Sequence, residues 1–555
     1  MSTFACRIAV GTGRGWLVTE LIVRLLLSIY PALTVLAIQF LGSHDGPSVR
    51  TLILVSLVFG LAGALQQISY ALGRRVATCM EAHVATELSR TLATAPPAWL
   101  RDPSNAALIR AARHTSIEGQ TSSLYQAACN IVAALIVAVS LASSLWPISK
   151  AAAVCSVFAA LPMVASYMWV GKKEAKLWPI TTEKQRRALY LEDQLSLPRT
   201  STELALLKAG LRFANLVAEQ RSQWRRLKLQ LEAQSMMGYL ISGVATTIII
   251  GATLFLLSAP GNTLDIAAGI VGFLSSITAL GGVGFQIGEL TTTRPAVRQL
   301  RTLLTDTPPA LPPEPRREWQ KLSVSHLSVT YPAATAPAVR DVSFTAERGT
   351  ITAIVGANGS GKTTIINAIV DALPFEGEIW LDAERIQHSM LLGVQLQSFG
   401  TFEVTVRDFL CLNTTFTDEE VFEALRHSNA QDFVRQLPHG LDTQLGEQWG
   451  GVDLSGGQWQ RLSLARLFLH DYPVWLLDEP TSAVDAYTEE QLFSTLKQAK
   501  ATKIIVVITH RASVLQDVDN IIVLEHGQIV EQGTFTELCT KQGPFARLFR
   551  NQIQP

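Results

Sequence analysis

The sequence predicts two fold classes joined end to end: an all-α block of six membrane-length helices, then an α/β block in which helices pack on a sheet. Three observations predict this. Hydrophobic residues make up 48% of the 555 positions and charged residues only 17%, which is apolar for a soluble protein, and the excess lies in roughly the first 290 residues. Six stretches in that half are long enough to cross a hydrocarbon core of about 30 Å, which takes about 20 helical residues. From Lys321 the pattern changes to short β-branched runs such as Leu327–Tyr331 and Ile351–Val355, separated by helical stretches, as in a sheet covered by helices.

In chain order, residues 1–15 read as an N-terminal cytoplasmic tail. Within it Gly11-Thr12-Gly13-Arg14-Gly15 superficially resembles a nucleotide loop, but no strand precedes it and an apolar span follows, so a flexible tail is expected. Residues 16–304 form the transmembrane domain, with spans near 16–41, 49–73, 121–146, 148–170, 236–258 and 265–290. The first span is long and five more follow, so no cleavable signal peptide is expected. Short turns at Gly42–Pro47, around Pro147 and at Ser258–Asn262 pair the spans into three hairpins. The long connections carry the basic residues, among them Arg74, Arg75, Arg90, Arg101, Lys172, Lys173, Arg186, Arg225 and Arg226. By the positive-inside rule those connections and both termini are cytoplasmic.

Glu20 and Arg24 stand four apart in the first span and Glu289 lies near the end of the sixth. Charge inside a span is a functional candidate, but all three lie toward the cytoplasmic ends and Glu20 and Arg24 can pair at i,i+4, so a structural role is expected. The glycine-rich sixth span, with Gly282, Gly284 and Gly288 among others, suits close helix packing and equally a bending pathway wall. Residues 305–320, rich in proline, form an extended linker. The zero formal net charge implies no bulk attraction to nucleic acid. The six cysteines are scattered without metal or redox spacing and are expected as reduced thiols.

The chemistry lies in residues 321–555. The apolar run Ile351–Val355 is followed at once by Gly356-Ala357-Asn358-Gly359-Ser360-Gly361-Lys362-Thr363-Thr364, a phosphate-binding loop in its strand–loop–helix setting. Its glycines let backbone N–H groups wrap phosphate oxygens, Lys362 reaches the β- and γ-phosphates of ATP, and the Thr363 hydroxyl ligates Mg²⁺. A helix N-terminus adds partial positive charge. The strand Val474–Asp478 ends in two carboxylates: Asp478 suits a second Mg²⁺ contact, and Glu479 suits activating the attacking water.

Leu454-Ser455-Gly456-Gly457-Gln458 stands just before a helix starting near Trp459. Alone it is a helix cap; with the two preceding motifs it closely resembles the signature sequence of the ATP-binding cassette (ABC) family. The resemblance spans the soluble half, and the six-span layout extends it over nearly everything from residue 16.

That resemblance implies several further assignments. Tyr331 is similar to the aromatic that stacks on adenine. Gln397, eight residues before Thr405, is similar to the glutamine that touches Mg²⁺ and the lytic water; Gln395 is a rival, but the spacing to Thr405 favours Gln397. Ser482 and Asp485 resemble the loop coupling two ATP sites, and His510 resembles the switch histidine that holds the γ-phosphate. Thr443–Glu447 resembles the segment by which exporters sense their membrane domain.

Fusion of six spans to one cassette implies an exporter-type half-transporter, most like bacterial peptide, antibiotic or multidrug exporters. It implies a dimer, homomeric or heteromeric, in which Ser455 and Gly457 of one copy contact the γ-phosphate on the other's Gly356–Thr364 loop. Connections near 98–107 and 198–210 would transmit closure of the cassettes to the spans. The expected cargo is amphipathic (a peptide, antibiotic or drug-like compound), moved outward across a bacterial inner membrane. No peptidase-like domain is expected before the first span. A lipid flippase of the same fold, a non-transporting ATPase of the DNA-repair type, and a membrane regulator or channel are the competing readings. The six spans count against the DNA-repair type, and the presence of Glu479 and His510 counts against a non-hydrolysing regulator.

Overall fold

The computed structural model describes residues 2–11, 13–42, 49–147, 149–158, 161–257, 263–308, 318–331, 334–386, 392–482 and 486–553. The expected turns at 43–47 and 258–262, most of the linker, and Asp485 lie outside these residues. The chain divides into two compact units, one of Met1–Ala93 with Ala107–Thr307, the other of Thr94–Ala106 with Pro308–Pro555.

The first unit is helical. Helices occupy all six apolar stretches: Arg14–Gly42, Val49–Ala93, Gln120–Leu145, the pair Lys150–Phe158 and Leu161–Ser196, Gly210–Leu257 and Thr263–Asp306. At 1.5 Å rise per residue the 45-residue helix Val49–Ala93 is about 68 Å long, roughly twice a bilayer core. Among the described residues, three segments are long and apolar enough to cross a membrane: Arg14–Ile38, Gln120–Leu145 and Gly210–Thr253. They leave large apolar side chains exposed, with Val139 at 71% and Ile248 at 67% exposure. Such surface is unfavourable in water and costs nothing against lipid tails.

The N-terminal tail is not loose. Ser2–Gly11 is a helix whose Ala5, Ile8 and Ala9 are buried, because residues spaced three and four apart share one helix face. Just beyond it, the Arg75 guanidinium lies 3.8 Å from the Trp16 ring centroid. Glu20 and Arg24 do pair, with Arg24 Nε donating to Glu20 Oε1 at 2.6 Å. The pair is buried, however: Glu20 is fully enclosed and its other oxygen accepts from the Tyr125 hydroxyl at 3.0 Å. Close helix packing accounts for one glycine of the sixth span and not for another. A Cβ on Gly284 would collide with Tyr167, whereas Gly282 faces open space.

In the second unit, a four-stranded antiparallel sheet contains Lys321–Val329, Val339–Glu347, Glu376–Leu381 and Glu384–Arg385. The six-stranded sheet carries, in spatial order, Gln528–Gly533, Asn520–Glu525, Ile351–Gly356, Ile504–Ile508, Val474–Asp478 and Gly393–Gln395. Its inner strands are parallel and read as unbroken apolar runs because both faces are covered. Ile354, Leu476 and Val506 pack on one side with the antiparallel sheet. Val355, Leu477 and Val507 pack on the other with Phe545 and Phe549. A third cluster, around Phe409, Leu425, Trp459 and Leu462, holds the helical segment between Val406 and His470. All six cysteines are free.

Candidate functional site

Register builds the site. Ile354 pairs with Ile508 and Asp478 also pairs with Ile508, so three parallel strands end at one level. Gly356, Glu479 and His510 therefore emerge together at the carboxyl edge of the sheet, where open α/β sheets bind ligands.

Two glycines of the loop are required by its shape. A Cβ on Gly356 would run into the carbonyl of Leu524, and one on Gly361 would sit 2.8 Å from the Ala338 carbonyl with φ at +104°; only glycine avoids both costs. Gly361 is also the N-cap of helix Lys362–Ile369 and places no side chain over its first turn, leaving those N–H groups for an anion. Ala357, Asn358 and Gly359 are exposed. Lys362 is buried and folds back, donating to the carbonyls of Gly356 at 2.9 Å and Ala357 at 3.0 Å. Burial pulls its ammonium pKa below the usual lysine value, and the charges of Glu479 and Asp478 oppose that shift.

Asp478 is fully enclosed, and neither carboxylate oxygen receives a hydrogen bond of normal geometry. Burial raises its pKa; the nearby Thr363 hydroxyl and the charges of Lys362 and His510 offset part of the rise. The Ser360 hydroxyl is likewise buried without a partner. Unsatisfied buried groups of this kind cost free energy and mark a place built for something else to bind.

Glu479 has φ of +50°, a strained conformation costing about 1–3 kcal/mol for a non-glycine residue. Its N–H donates to the Ile508 carbonyl at 3.1 Å, which fixes the turn. One carboxylate oxygen accepts from Gln397 Nε2 at 3.2 Å. The other lies 2.9 Å from His510 Nε2, a close contact without the alignment of a hydrogen bond. Gln395, by contrast, is buried and accepts from the Ser463 hydroxyl at 2.6 Å, a core bond rather than a contact at the site.

Tyr331 lies beyond the end of its strand, not within it; its ring is 39% exposed and its hydroxyl is 3.1 Å from Thr364 Oγ1. Ser482 N–H donates to the Glu479 carbonyl at 3.2 Å, and Gln460 ties the two further, its amide donating to the Glu479 carbonyl at 3.2 Å and to Ser482 Oγ at 3.4 Å. Sequence reasoning missed Gln460; the available signal was a polar side chain on the buried face of its helix. Ser455 caps the helix Gly456–His470 in a reciprocal capping box with Gln458, and its hydroxyl end is exposed. Among the described residues, the side-chain bonds of Leu454–Gln458 close within the segment, and none reaches the Gly356–Thr364 loop. Thr443–Glu447 is tied to the segment after Gln397: Leu445 N–H donates to the Val404 carbonyl, Gln444 to the Glu403 carbonyl, and Trp449 to the Glu403 carboxylate at 2.9 Å.

Residues 339–482, from the strand ahead of the loop to Ser482, match the ABC transporter family. This segment is an ABC transporter domain. The domain's chain is 38% identical over 240 residues to putative multidrug export ATP-binding/permease proteins of Staphylococcus aureus, among them those of strains NCTC 8325 / PS 47 and COL. The match covers 42% of this chain and 41% of those relatives. The whole chain is similar in fold to a bacterial Atm1-family ABC exporter solved with ATP bound, with a TM-score of 0.81 at 21% identity over 98% of this chain and 99% of that one. The fold is thus similar to that of the solved exporter: an all-α unit with candidate membrane spans, followed by an α/β unit that holds the ABC transporter domain.

Proposed function

We propose that the chain is one half of an ATP-hydrolysing exporter that moves a small solute outward across the membrane. The observation that carries the reading is the grouping at the sheet edge: Glu479, held at 3.2 Å by Gln397 and 2.9 Å from His510, beside buried Asp478 and Lys362.

The residues fit Mg·ATP. The unpartnered oxygens of Asp478, the Thr363 hydroxyl and Gln397 form an all-oxygen donor set suited to Mg²⁺. When bound, the ion supplies positive charge against phosphate oxygens. Lys362, now bonded only to two carbonyls, would exchange them for phosphate oxygens. The loop N–H groups and the helix N-terminus bind the remaining negative charge, and Tyr331 offers an accessible ring for the base. Glu479 is placed to polarise an attacking water, with Gln397 orienting it and His510 meeting the γ-phosphate.

The Leu454–Gln458 segment caps itself and leaves Ser455 and Gly456 exposed, which supports a composite site completed by a second copy or a related chain. In this reading ATP closes the paired domains and hydrolysis reopens them. The basic long connections support an orientation with both termini in the cytoplasm of a bacterial cell.

Glu479→Gln tests the reading. Steady-state ATP turnover of the reconstituted protein falls by about 10²–10⁴-fold, the usual contribution of a general base, while ATP binding is retained. Turnover at the wild-type rate would refute the assigned chemistry.

A further inference from the structure

The helical unit carries an open-sided cavity of about 470 Å³ lined by residues of four helices, Arg14–Gly42, Val49–Ala93, Gln120–Leu145 and Thr263–Asp306. The volume is in the range of small-molecule sites, but the lining differs from that of a typical drug pocket. Such pockets are mainly hydrophobic and aromatic; here, among the described residues, the only lining aromatic is Tyr70. Among the described residues, four carboxamides, Gln66, Gln126, Asn130 and Gln286, and two guanidinium groups, Arg24 and Arg74, face the space, and no carboxylate lines it.

The charges are not equivalent. Arg24 is neutralised by enclosed Glu20. It also donates through Nη1 to Asn130 Oδ1. With its oxygen occupied in this way, Asn130 presents its amide N–H groups as donors. Glu20 is held in turn by Tyr125, so the whole arrangement is braced from behind the wall. Arg74 is exposed and, among the described residues, has no ion-pair partner. The cavity thus carries one uncompensated positive charge and a set of hydrogen-bonding amides. A lipophilic cation would find apolar contacts at Leu27, Val137 and Val283 but would meet the wrong charge there.

Building on the exporter reading, we propose that this cavity is the cargo site and that its cargo is a small, hydrogen-bonding solute bearing a carboxylate, of short-peptide size. Arg74 pairs with the carboxylate, Asn130 donates to it or to an adjacent carbonyl, and Gln66, Gln126 and Gln286 meet amide groups. Arg24 is a positioning residue that acts through Asn130.

The test is direct binding to the full chain in nanodiscs without nucleotide, so that it does not depend on turnover. The probes are N-acetyl-trialanine, its C-terminal amide, and tetraphenylphosphonium. The acid is expected to bind about tenfold more tightly than the amide, a typical effect of one partly desolvated charge pair. Arg74→Gln should bring acid and amide to within about twofold, Arg74→Lys should keep the preference, and Gln286→Leu should weaken both probes alike. Equal binding of acid and amide, no binding of the acid, tighter binding of tetraphenylphosphonium, or an undiminished acid preference in a folded Arg74→Gln protein would each overturn the proposal. Wild-type turnover in Glu479→Gln would instead sink the ATPase reading and leave the binding result standing.

Discussion

Asp478→Asn should make the nucleotide-free protein more stable while removing its response to Mg²⁺. Among the described residues, the fully enclosed carboxylate of Asp478 receives no hydrogen bond of normal geometry, with only the Thr363 hydroxyl close by. An unpaired buried charge carries a penalty of several kcal/mol, reduced here by the charges of Lys362 and His510. The asparagine removes the charge but leaves a buried amide costing about 1–3 kcal/mol. The net gain is therefore about 1 kcal/mol, or roughly 2–4 °C in melting temperature for a domain of this size class. Because burial raises the native pKa above the ordinary value of 3.8, the native state holds the proton more tightly than the unfolded chain. The penalty is thus absent below that ordinary value and grows as pH rises through the raised one, so the advantage of the variant widens with pH in that window. Scanning fluorimetry of the full chain in detergent reads this out, with EDTA, with ATP, and with ATP plus Mg²⁺. The wild type gains about 2.7 kcal/mol when Mg·ATP stands 100-fold above its dissociation constant, and the variant loses the Mg²⁺-dependent part. A variant that melts below the wild type without nucleotide at every pH, or that keeps the full Mg²⁺ response, would refute the reasoning.

Other substitutions separate neighbouring roles. Gly361→Ala puts a Cβ 2.8 Å from the Ala338 carbonyl at a φ of +104°, a strain of about 1–2 kcal/mol; equilibrium binding should show ATP affinity reduced by about tenfold or more. Gln397→Leu should lower the turnover number by about 10–100-fold with little change in ATP affinity, since it only orients the water and Glu479. Gln395→Leu should instead lower the melting temperature, because it strands the Ser463 hydroxyl at a cost of about 1–3 kcal/mol. Arg101→Ala removes the 2.7 Å bond to Asn367 within the nucleotide-binding unit. Cargo-stimulated turnover should fall several-fold while basal turnover persists, as ATPase assays with and without N-acetyl-trialanine would show.

Much of the nucleotide site was legible because its chemistry is local. The loop from Gly356 to Thr364 carries its own strand, turn and helix start, and Val474–Asp478 and Ile504–Ile508 are apolar runs that could only be buried strands. The helices were legible by length and apolarity. Less legible was the N-terminus, where Ser2–Gly11 is ordered by neighbours far along the chain rather than by its own composition. The weight of the Glu20–Arg24 pair was also hidden: spacing predicts the bond, but not that Tyr125 and Asn130, more than 100 residues away, enclose it. Gln395 and Gln397 differ by two positions and lie close together along the chain, and only packing shows one sealed against Ser463 and the other turned to Glu479.

The sequence by itself marked which groups are candidates to bind phosphate and which segments are long and apolar enough to be candidate spans, because both depend on residue type and short-range spacing. Tertiary structure decided which groups meet. Parallel register through Ile508 brings Gly356, Asp478 and His510 to one edge, although about 120 and then 30 residues separate them in the chain. Four helices likewise converge on a cavity whose polarity no single helix displays. A long-range contact depends on how layers stack to bury apolar surface, and that is a property of the folded whole.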